Sequence, residues 1–564
     1  MISVSNKNWE ETKINKNRVE KLKQDYNFSE ILSKLIISRN FSLEEIHLIE
    51  NKLILSNIFQ KNLDYRDSIK LTLNAINNRE IICILGDYDV DGSVATSLFV
   101  RFFENINYPH FYYIPDRIKD GYGASKKLLK KLILKKPKLV IMVDCGSTST
   151  DAINFLNENN IKSLVIDHHE INEPYPKANV IINPKKNNGY IKYDYLCAAS
   201  LVYFFLDILS QKIKTTIKIS DYLIYVLLAT VCDVMPLRNL NRLIAIDVLE
   251  KFNITKNLAL NTLFTLNNKK NRININDLGF LIGPILNAGG RLGQSNLASE
   301  LLSSNDQNTV DIKCDDLIAL NNKRKKIETH TLNEIDFDKI DKENDKIIIY
   351  YKSNINEGLI GIIAARLMEH FNKPVIVITT SNQLLKGSAR SVSNYNIGHS
   401  IKNALNQKII ISGGGHNMAA GFTLKKENLS KFKEFFIRDI LKNNISTNNV
   451  FKYDAEISSL AFNKNFYNDV KKLEPFGTGN PNPIFLFKNL KIIKTSILNQ
   501  KHISLILKSK IGFSINSISF NSVNSKIGEY LLNYKKNLNV LGQVNESFWN
   551  NKKTLQLVIR DLII

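Results

Sequence analysis

The segment that decides the fold is Ile81–Gly92, IICILGDYDVDG, where a short apolar run is followed by a glycine and three aspartates. An apolar run of this length, ended by turn-forming residues, predicts a buried strand. The pattern recurs at Leu139–Val143 (LVIMV), which Asp144 follows, and at Ser163–Ile166 (SLVI), which Asp167 follows. Three such runs in succession indicate a sheet whose strands are buried on both faces.

Helical stretches separate these strands, at Ser93–Glu104 and Asp151–Asn159, and Val180–Ile182 is a candidate fourth strand. Strands that alternate with helices are typical of a parallel sheet covered by helices. Residues 1 to about 75 look helical and amphipathic. We therefore predict the α/β class, with a parallel-sheet domain preceded by a helical segment.

The rest of the chain predicts further domains. Residues from about 310 to 340 are rich in charge and predict a long connecting helix and linker. A second α/β unit begins at Lys346–Tyr351 and continues through a helix at Ile360–Phe371, a strand at Pro374–Thr379 and a glycine-rich turn at Gly413–Gly415. From about residue 450 the sequence alternates between apolar and polar residues, which predicts a small β-barrel.

Acidic residues and histidines follow three successive predicted strands. Asp89 and Asp91 follow the first, Asp144 the second, and His168 and His169 the third. In an open α/β sheet, ligands bind outside the carboxyl ends of the strands. Clustered carboxylates repel each other unless a cation neutralises them, and carboxylates with imidazoles suit Mg²⁺ or Mn²⁺. The three clusters together favour a metal site over isolated helix caps.

Two further aspartates have open roles. Asp233 ends the apolar helix DYLIYVLLATVCD and could close the metal cage from the other side. Asp87 is interpreted as a turn residue, because a single aspartate after a strand usually caps a helix or forms a turn.

Arginine is scarce, with 15 among 76 basic residues, so arginines within glycine-containing motifs are informative. The guanidinium group binds phosphate through two parallel hydrogen bonds. Surface ion pairs are the alternative interpretation. Glycine-rich turns can also bind phosphate through backbone N–H groups. The candidate phosphate-binding residues are Arg117, Arg291, Ser388, Arg390, Gly414, Gly415 and His416.

The overall composition sets limits on the class of protein. The 564 residues suggest three or four domains, and 44% hydrophobic with 23% charged residues excludes a disordered chain, a collagen-like fibre and a disulfide miniprotein. The net charge of +22 is compatible with a nucleic-acid partner, although the abundance of Ile, Asn and Lys could instead reflect an AT-rich genome.

The cysteines and the apolar segments bear on the compartment. Five cysteines without a CxxC pair argue against a zinc ribbon and for a reducing compartment. No secretory signal is visible, and the longest apolar stretch, Leu223–Cys232, is too short to cross a bilayer. We therefore expect a cytoplasmic protein with no membrane partner.

Several motifs resemble those of a known family. GDYDVDG, RIKDGYG (Arg117–Gly123), VDCG, DHH (Asp167–His169) and the later Asp233 resemble the DHH phosphoesterases. NAGGRLG (Asn287–Gly293), GSARS (Gly387–Ser391) and GGGHNMAAG (Gly413–Gly421) are similar to the second domain of that family and its junction. EPFGTGNPNPIF (Glu474–Phe485) is similar to the single-stranded-DNA-specific exonucleases within it.

The resemblance covers nearly the whole chain and implies its domain boundaries. It implies an N-terminal helical segment at 1–45, a DHH domain at 46–305 and a connecting helix or linker at 306–344. A DHH-associated domain (DHHA1) at 345–448 and a nucleic-acid-binding OB-fold at 449–564 complete the chain.

The resemblance also implies the site and its activity. Two divalent ions, Mg²⁺ or Mn²⁺, would be held by Asp89, Asp91, Asp144, His168 and Asp233, with Asp144 bridging them and His169 facing the scissile phosphate. The implied activity is 5′→3′ hydrolysis of single-stranded DNA to 5′-mononucleotides, in DNA repair and recombination. The expected partners are single-stranded DNA, a single-strand-binding protein and a helicase, and the expected state is a monomer.

The sequence departs from the family pattern at two places. Leu85 stands where many DHH proteins have a histidine, which leaves one metal with fewer ligands unless water or Asp87 supplies them. Ile355 and Asn356 replace a usual Trp-His pair, which puts in doubt any DNA-contacting role of that pair.

Two other functions stay open. One is a DHH phosphodiesterase that acts on pyrophosphate, short oligonucleotides or cyclic dinucleotides. The other is a non-catalytic scaffold that binds single-stranded DNA, which the retained acidic residues oppose. In the barrel, Lys488, Lys491 and Lys494 beside Phe485 and Phe487 could form a DNA groove or a solvated face opposite core aromatics.

Overall fold

The structure is a computed structural model. It describes residues 3–50, 57–117, 120–121, 123–186, 190–269, 272–343, 345–381, 383–443, 450–534, 536–549 and 552–564. Three positions at the predicted domain boundaries, 344, 448 and 449, lie outside the described residues. Positions 118, 119 and 122 of the RIKDGYG motif also lie outside them.

The chain forms two compact units. The first, here called the barrel unit, comprises Met1–Leu55, Pro236–Asp247 and Asn448–Ile564. The second, here called the two-sheet unit, comprises Ser56–Met235 and Val248–Thr447. The N-terminal segment therefore belongs to the same compact unit as the C-terminal barrel, although about 400 residues separate them in the chain.

The described strands form four sheets. In chain order the strands are β1 (Asn8–Glu11), β2 (Ile82–Leu85), β3 (His110–Tyr113), β4 (Leu139–Val143), β5 (Lys162–Ile166), β6 (Val180–Ile182), β7 (Ile348–Tyr351), β8 (Val375–Ser381), β9 (Leu384–Arg390), β10 (Ser412–His416), β11 (Ala419–Leu424), β12 (Val450–Tyr453), β13 (Ala455–Glu456), β14 (Phe485–Leu498), β15 (His502–Lys508), β16 (Ser514–Ser519), β17 (Leu538–Trp549) and β18 (Lys552–Ile563).

The α-helices, again in chain order, are α1 (Lys16–Tyr26), α2 (Glu30–Ser38), α3 (Leu43–Glu50), α4 (Leu63–Asn77), α5 (Val90–Asn105), α6 (Lys126–Leu132), α7 (Thr150–Glu158), α8 (Ala198–Ile213), α9 (Leu223–Cys232), α10 (Asn239–Lys251), α11 (Leu258–Leu266), α12 (Gly283–Arg291), α13 (Leu297–Ser303), α14 (Gln307–Asn333), α15 (Phe337–Glu343), α16 (Ile360–Phe371), α17 (Ile397–Asn406), α18 (Leu429–Lys442), α19 (Lys464–Lys471) and α20 (Lys526–Asn533). No helix among the described residues is long and apolar enough to span a membrane.

The first sheet of the two-sheet unit is parallel throughout, in the order β3-β2-β4-β5-β6. Every residue of β2 and β4 is buried, which explains why these strands are continuously apolar. Met142 of β4 pairs with Leu85 of β2 and with Val165 of β5, so the three strands end at one edge. The predicted α/β class is confirmed, and this edge carries the predicted acidic residues.

The second sheet has the order β10-β11-β9-β8-β7, and only its β7–β8 pair is parallel. The predicted glycine turn at Gly413–Gly415 is wrong, because these residues lie in strand β10. A side chain on Gly415 would lie 2.4 Å from the Cα of Ala420, so close strand approach explains this glycine. Ser388 and Arg390 lie in strand β9.

The sheet of the barrel unit closes on itself, because β14 pairs with both β15 and β17. This closure confirms the predicted OB-like barrel. Phe485 and Phe487 are buried in its core, and Lys488 is exposed, so the two aromatic rings pack inside the barrel. The prediction that the first 75 residues are helical is wrong at Asn8–Glu11, which pairs in parallel with β12.

Candidate active site

The first acidic motif is held by two helix N-termini. Asp89 caps α5, where its side chain accepts a hydrogen bond from the backbone N–H of Gly92 at 3.0 Å. The buried carboxylate of Asp91 accepts hydrogen bonds from the N–H groups of Ala198 and Ala199, at 2.7 and 2.8 Å. These two residues begin α8, and the N-terminus of a helix favours a negative charge. Asp91 is therefore fixed in place before any ligand binds.

Asp144 has a backbone conformation that L-amino acids rarely adopt. It directly follows β4, and its φ of 58° lies in the left-handed region that few residues other than glycine and asparagine adopt. Its backbone N–H donates to the carbonyl of Ile166 at 3.0 Å, which holds the turn against β5. Both carboxylate oxygens are buried and have no hydrogen-bond partner among the described residues.

His168 lies at the centre of the acidic cluster. Its Nε2 is 3.3 Å from Oδ1 of Asp144, 3.5 Å from Oδ2 of Asp233 and 3.7 Å from Oδ2 of Asp91. Neither ring nitrogen has a hydrogen-bond partner among the described residues. Asp233 reaches this position as the C-cap residue of α9.

His169 is oriented by Asp167. Its Nδ1 lies 2.8 Å from Oδ1 of Asp167, and Oδ2 of the same carboxylate accepts the backbone N–H of Ser147 at 3.0 Å. Burial alone would lower the pKa of His169, but the hydrogen bond and charge of Asp167 raise it to about 9. The contact with Asp167 therefore fixes the orientation of the His169 ring.

The raised pKa values of the clustered aspartates indicate that a bound cation would stabilise their negative charges. Burial, followed by repulsion from Asp89, raises the pKa of Asp91 to about 6. Burial and the charge of Asp91 also raise the pKa of Asp144 and of Asp233 above their ordinary range. Burial lowers the pKa of His168 to about 3, so this ring is a neutral donor of an electron pair.

The donor set fits divalent metal ions. Three groups of potential ligand atoms each lie within 4.8 Å of one another: Asp144 with His168 and His169, Asp91 with His168 and Asp233, and Asp87 with Asp89 and Asp144. Oxygen-rich sites with imidazole suit Mg²⁺ and Mn²⁺. Buried carboxylates and imidazoles without partners are expected where an ion supplies the missing interaction. The five predicted ligands therefore come together, and their individual roles stay a prediction.

Two functional residues were not assigned from the sequence. Asp87, whose role as a turn residue or a substitute ligand stayed open there, is buried and has an unpartnered Oδ1 close to Asp89 and Asp144. Leu85, which stands where many DHH proteins have a histidine, is buried in β2. Asp167 orients His169, and its place directly before a histidine pair was the available signal.

A group of arginines lies next to the acidic cluster. The guanidinium group of Arg117 lies 5.3 Å from the ring centre of Tyr88. Arg291 donates from Nη1 to the carbonyl of Gly358 at 3.3 Å, and Arg390 donates from Nη1 to the hydroxyl of Ser388 at 3.4 Å. Burial, and then the charges of Arg117 and further arginines, lower the pKa of Arg291 to about 10. Arg291 and Arg390 line one cavity.

The remaining candidates lie on the exposed strand β10. Gly414, Gly415 and His416 are exposed, and a side chain on Gly414 would meet nothing within 4 Å. Burial, followed by the charges of Lys185 and His169, lowers the pKa of His416.

The segment that departs from the family pattern has a local structural role. Ile355 is buried, and its carbonyl accepts a hydrogen bond from the hydroxyl of Thr379 at 2.7 Å. The side chain of Asn356 accepts from the N–H of Gly358 at 2.9 Å. The carbonyl of Gly358 in turn accepts from Arg291. Asn356 therefore shapes the loop that holds this arginine.

Comparison with known proteins agrees with this architecture. The N-terminal domain of the DHH family matches residues 81–230, the DHHA1 domain matches residues 344–442, and the RecJ OB domain matches residues 453–561. These matches, with the metal cluster at the strand ends, define the class: the chain belongs to the DHH phosphoesterase family. Its combination of three domains is that of RecJ.

Individual relatives cover most of the chain. The single-stranded-DNA-specific exonuclease RecJ of Bacillus subtilis is 26% identical over 99% of this chain and 71% of its own length. The exonuclease of the same name from Haemophilus influenzae is 28% identical over 87% of this chain and 89% of its own. A crystal structure of RecJ from Thermus thermophilus in complex with Mn²⁺ has the same fold, with a TM-score of 0.80, 21% identity and coverage of 99% of this chain and 79% of that one.

Metal binding should stabilise the protein measurably. Because the cluster buries mutually repelling carboxylates, we expect Mn²⁺ at about 100 times its Kd to raise the melting temperature by about 2 °C or more. In Asp144→Ala this rise should shrink, whereas the metal-free variant should melt no lower than the metal-free wild type. Differential scanning calorimetry with and without a chelator measures both. An equal Mn²⁺ response in wild type and variant would contradict the assignment of Asp144.

Proposed function

We propose that this protein is a metal-dependent exonuclease that hydrolyses single-stranded DNA from its 5′ end to 5′-mononucleotides. The observation that carries the proposal is the cluster of buried, unpartnered carboxylates and imidazoles at the strand ends, directly beside a group of arginines. The proteins that share its three domains are named as single-stranded-DNA-specific exonucleases. A role in DNA repair and recombination is proposed on the same basis.

The metal ligands would be Asp89, Asp91, Asp144, His168 and Asp233, with Asp87 as a further oxygen donor. Asp144 would bridge two ions, because it has two buried oxygens without a described partner and belongs to two of the three groups of potential ligand atoms. Bound Mg²⁺ or Mn²⁺ would supply Lewis-acid stabilisation of phosphate and would lower the pKa of a bound water.

The chain's own residues orient the substrate. His169, which Asp167 orients, would face the scissile phosphate and donate a hydrogen bond to one of its oxygens. Arg117, Arg291 and Arg390, with Ser388, would bind the phosphate at the 5′ end, because an enzyme that removes single nucleotides must hold the terminus one nucleotide away from the scissile bond. Gly414, Gly415 and His416 would line the strand on the opposite side.

The barrel unit would also bind the single strand. Lys488, Lys491 and Lys494 are exposed and can meet backbone phosphates. Phe513 and Phe520 are 70% and 54% exposed, so their rings are available for base stacking. The buried Phe485 and Phe487 cannot take that role.

Compartment, partners and assembly belong to the same proposal. The five cysteines are free, as a reducing compartment requires, so we propose a cytoplasmic location. The predicted single-strand-binding protein, helicase and monomeric state stay predictions.

End-labelled DNA tests the activity directly. With Mn²⁺ or Mg²⁺, a single strand labelled at its 5′ end should release labelled mononucleotide from the first turnover. The same strand labelled at its 3′ end should shorten one nucleotide at a time. A blunt duplex serves as the control for strand selectivity and should resist digestion. Release of the 3′ label first would reverse the proposed polarity, and hydrolysis of cyclic dinucleotides alone would favour the alternative DHH phosphodiesterase.

A further inference from the structure

Four arginines line one cavity of about 340 Å³ beside the metal cluster. Arg291 and Arg390 belong to the group proposed to hold the 5′ phosphate, whereas Arg324 and Arg366 come from α14 and α16. The cavity lining contains no aspartate or glutamate among the described residues. Because the chain has only 15 arginines, four in one lining indicate a site built for anions.

Glu328 holds the second pair of arginines in place. Its Oε2 accepts a hydrogen bond from Nη1 of Arg324 at 2.9 Å, and its Oε1 accepts from Nε of Arg366 at 3.0 Å. Nε of Arg324 donates to the side chain of Asn321 at 3.0 Å, whereas its Nη2 donates to none of the described residues. Nη1 of Arg366 also donates to Oε2 of Glu369 at 3.1 Å. Two carboxylates thus fix the two guanidinium groups that line the cavity, which lowers the cost of ordering them when a ligand binds.

The first pair of arginines, Arg291 and Arg390, has no carboxylate partner among the described residues. Within the described residues, Arg291 and Arg390 donate to two carbonyls and a hydroxyl rather than to carboxylates. Arg324 lies close enough to lower the pKa of Arg291, after burial and Arg117. Arg291 and Arg390 therefore carry the positive charge that no described carboxylate pairs with, and Arg324 and Arg366 extend the arginine lining of the same cavity beyond them.

We propose that this cavity is a subsite for condensed phosphate, in which Arg324 and Arg366 bind a second phosphate group joined to the one held by Arg291 and Arg390. The proposal rests on the proposed function, because it continues the 5′-phosphate site outward. The source of the ligand is either the 5′-triphosphate end of a nucleic-acid strand or a free polyphosphate.

The reaction on a triphosphorylated strand is ordinary hydrolysis. Water attacks the phosphorus of the first phosphodiester, and the bond from that phosphorus to the 3′ oxygen breaks. The 3′ oxygen takes a proton, so the first residue leaves as a nucleoside 5′-triphosphate with a 3′-hydroxyl. The shortened strand keeps a 5′-monophosphate, and later turnovers proceed without the second subsite.

Two substrates that differ at one end test whether the ligand of the cavity is the 5′-triphosphate end of a strand. Strands that differ only in a 5′-monophosphate or 5′-triphosphate are digested by the wild type, Arg366→Gln and the matched control Arg438→Gln, whose arginine is exposed on α18. The wild type should release a nucleoside triphosphate from the second strand. Arg366→Gln should lower the kcat/KM ratio of triphosphate to monophosphate strand about tenfold, and Arg438→Gln should leave that ratio unchanged. The Arg366 side chain is 54% exposed, so its replacement should not prevent folding.

Calorimetric titration with inorganic tripolyphosphate, in the presence of a chelator, tests the free ligand. Binding that Arg366→Gln weakens about tenfold, without preference for the triphosphorylated strand, would assign the subsite to free polyphosphate. The proposal is overturned if tripolyphosphate binds no tighter than inorganic phosphate and Arg366→Gln leaves the strand ratio unchanged. Failure of the proposed function itself would look different, because neither strand would then be digested.

Discussion

Replacement of Asp144 by alanine is expected to lower the rate of single-strand hydrolysis about a thousandfold or more. Both oxygens of this carboxylate are buried and have no hydrogen-bond partner among the described residues, so they are available to metal ions alone. Oδ1 is 3.3 Å from Nε2 of His168, a separation that suits two ligands of one ion. Loss of Asp144 would therefore remove a ligand from each of the two groups to which it belongs.

A matched variant separates this effect from a general loss of charge. Asp151 is exposed in the first turn of α7, seven residues after Asp144, and Asp151→Ala should keep the wild-type rate. Initial rates on a 5′-labelled strand at saturating Mn²⁺ give the comparison, and fluorescence anisotropy shows whether each variant still binds the strand. If Asp144→Ala kept more than about a tenth of the wild-type rate while folded, Asp144 would not be a catalytic metal ligand.

Replacement of Arg390 by glutamine should reduce kcat/KM about a hundredfold on a 5′-phosphorylated strand. Arg390 lies on β9 with Ser388, and a side chain on Gly361 would come within 3.2 Å of both. The close packing fixes the guanidinium group, so it can bind a terminal phosphate without first being ordered. On a strand with a 5′-hydroxyl the same variant should lose much less activity.

The informative quantity is the loss of activity on the 5′-phosphorylated strand relative to the loss on the 5′-hydroxyl strand. Arg438→Gln again serves as the control, because Arg438 is exposed on α18 and should affect neither strand. Steady-state rates for the four combinations of strand and variant provide the measurement. An equal loss on phosphorylated and hydroxyl-ended strands would show that Arg390 acts on something other than the 5′ phosphate.

The parallel sheet could be predicted closely from the sequence. Leu139–Val143 and Val180–Ile182 are strands with the predicted bounds, and Ile360–Phe371 is a helix with the predicted bounds. The strand prediction succeeds because helices cover both faces of the sheet, so every position is apolar and the run stands out. Asp89, Asp91, Asp144 and His168 come together for the same reason, since the strands that precede them end at one edge.

The second sheet was less accessible to sequence reasoning. Glycines at 413–415 were interpreted as a turn, because glycine usually marks one, yet these residues form an extended strand. Glycine is required at these positions because strand β11 pairs with β10 and lies close to it. No local sequence pattern reveals that contact. The short strand Asn8–Glu11 depends on pairing with β12, more than 400 residues away in the chain.

The roles of single side chains in the site needed the structure. Asp87 and Asp167 both follow strands, and the sequence alone cannot separate a turn residue from a ligand or a positioning group. Burial and unpartnered atoms distinguish Asp87, and three hydrogen bonds to its Oδ1 distinguish Asp167. Arg324 and Arg366 follow no glycine-containing motif, so only the shared cavity connects them to the site.

The glycine strand β10 has a consequence for substrate choice. Its exposed residues Gly414 and Gly415 offer peptide groups and no side chains to a ligand that lies against them. Peptide N–H groups recognise phosphate and sugar, which are the same at every nucleotide, whereas the four bases are told apart by side chains. A strand surface without side chains would therefore not distinguish between the four bases. We therefore expect digestion at the same rate at every position of a strand of mixed sequence.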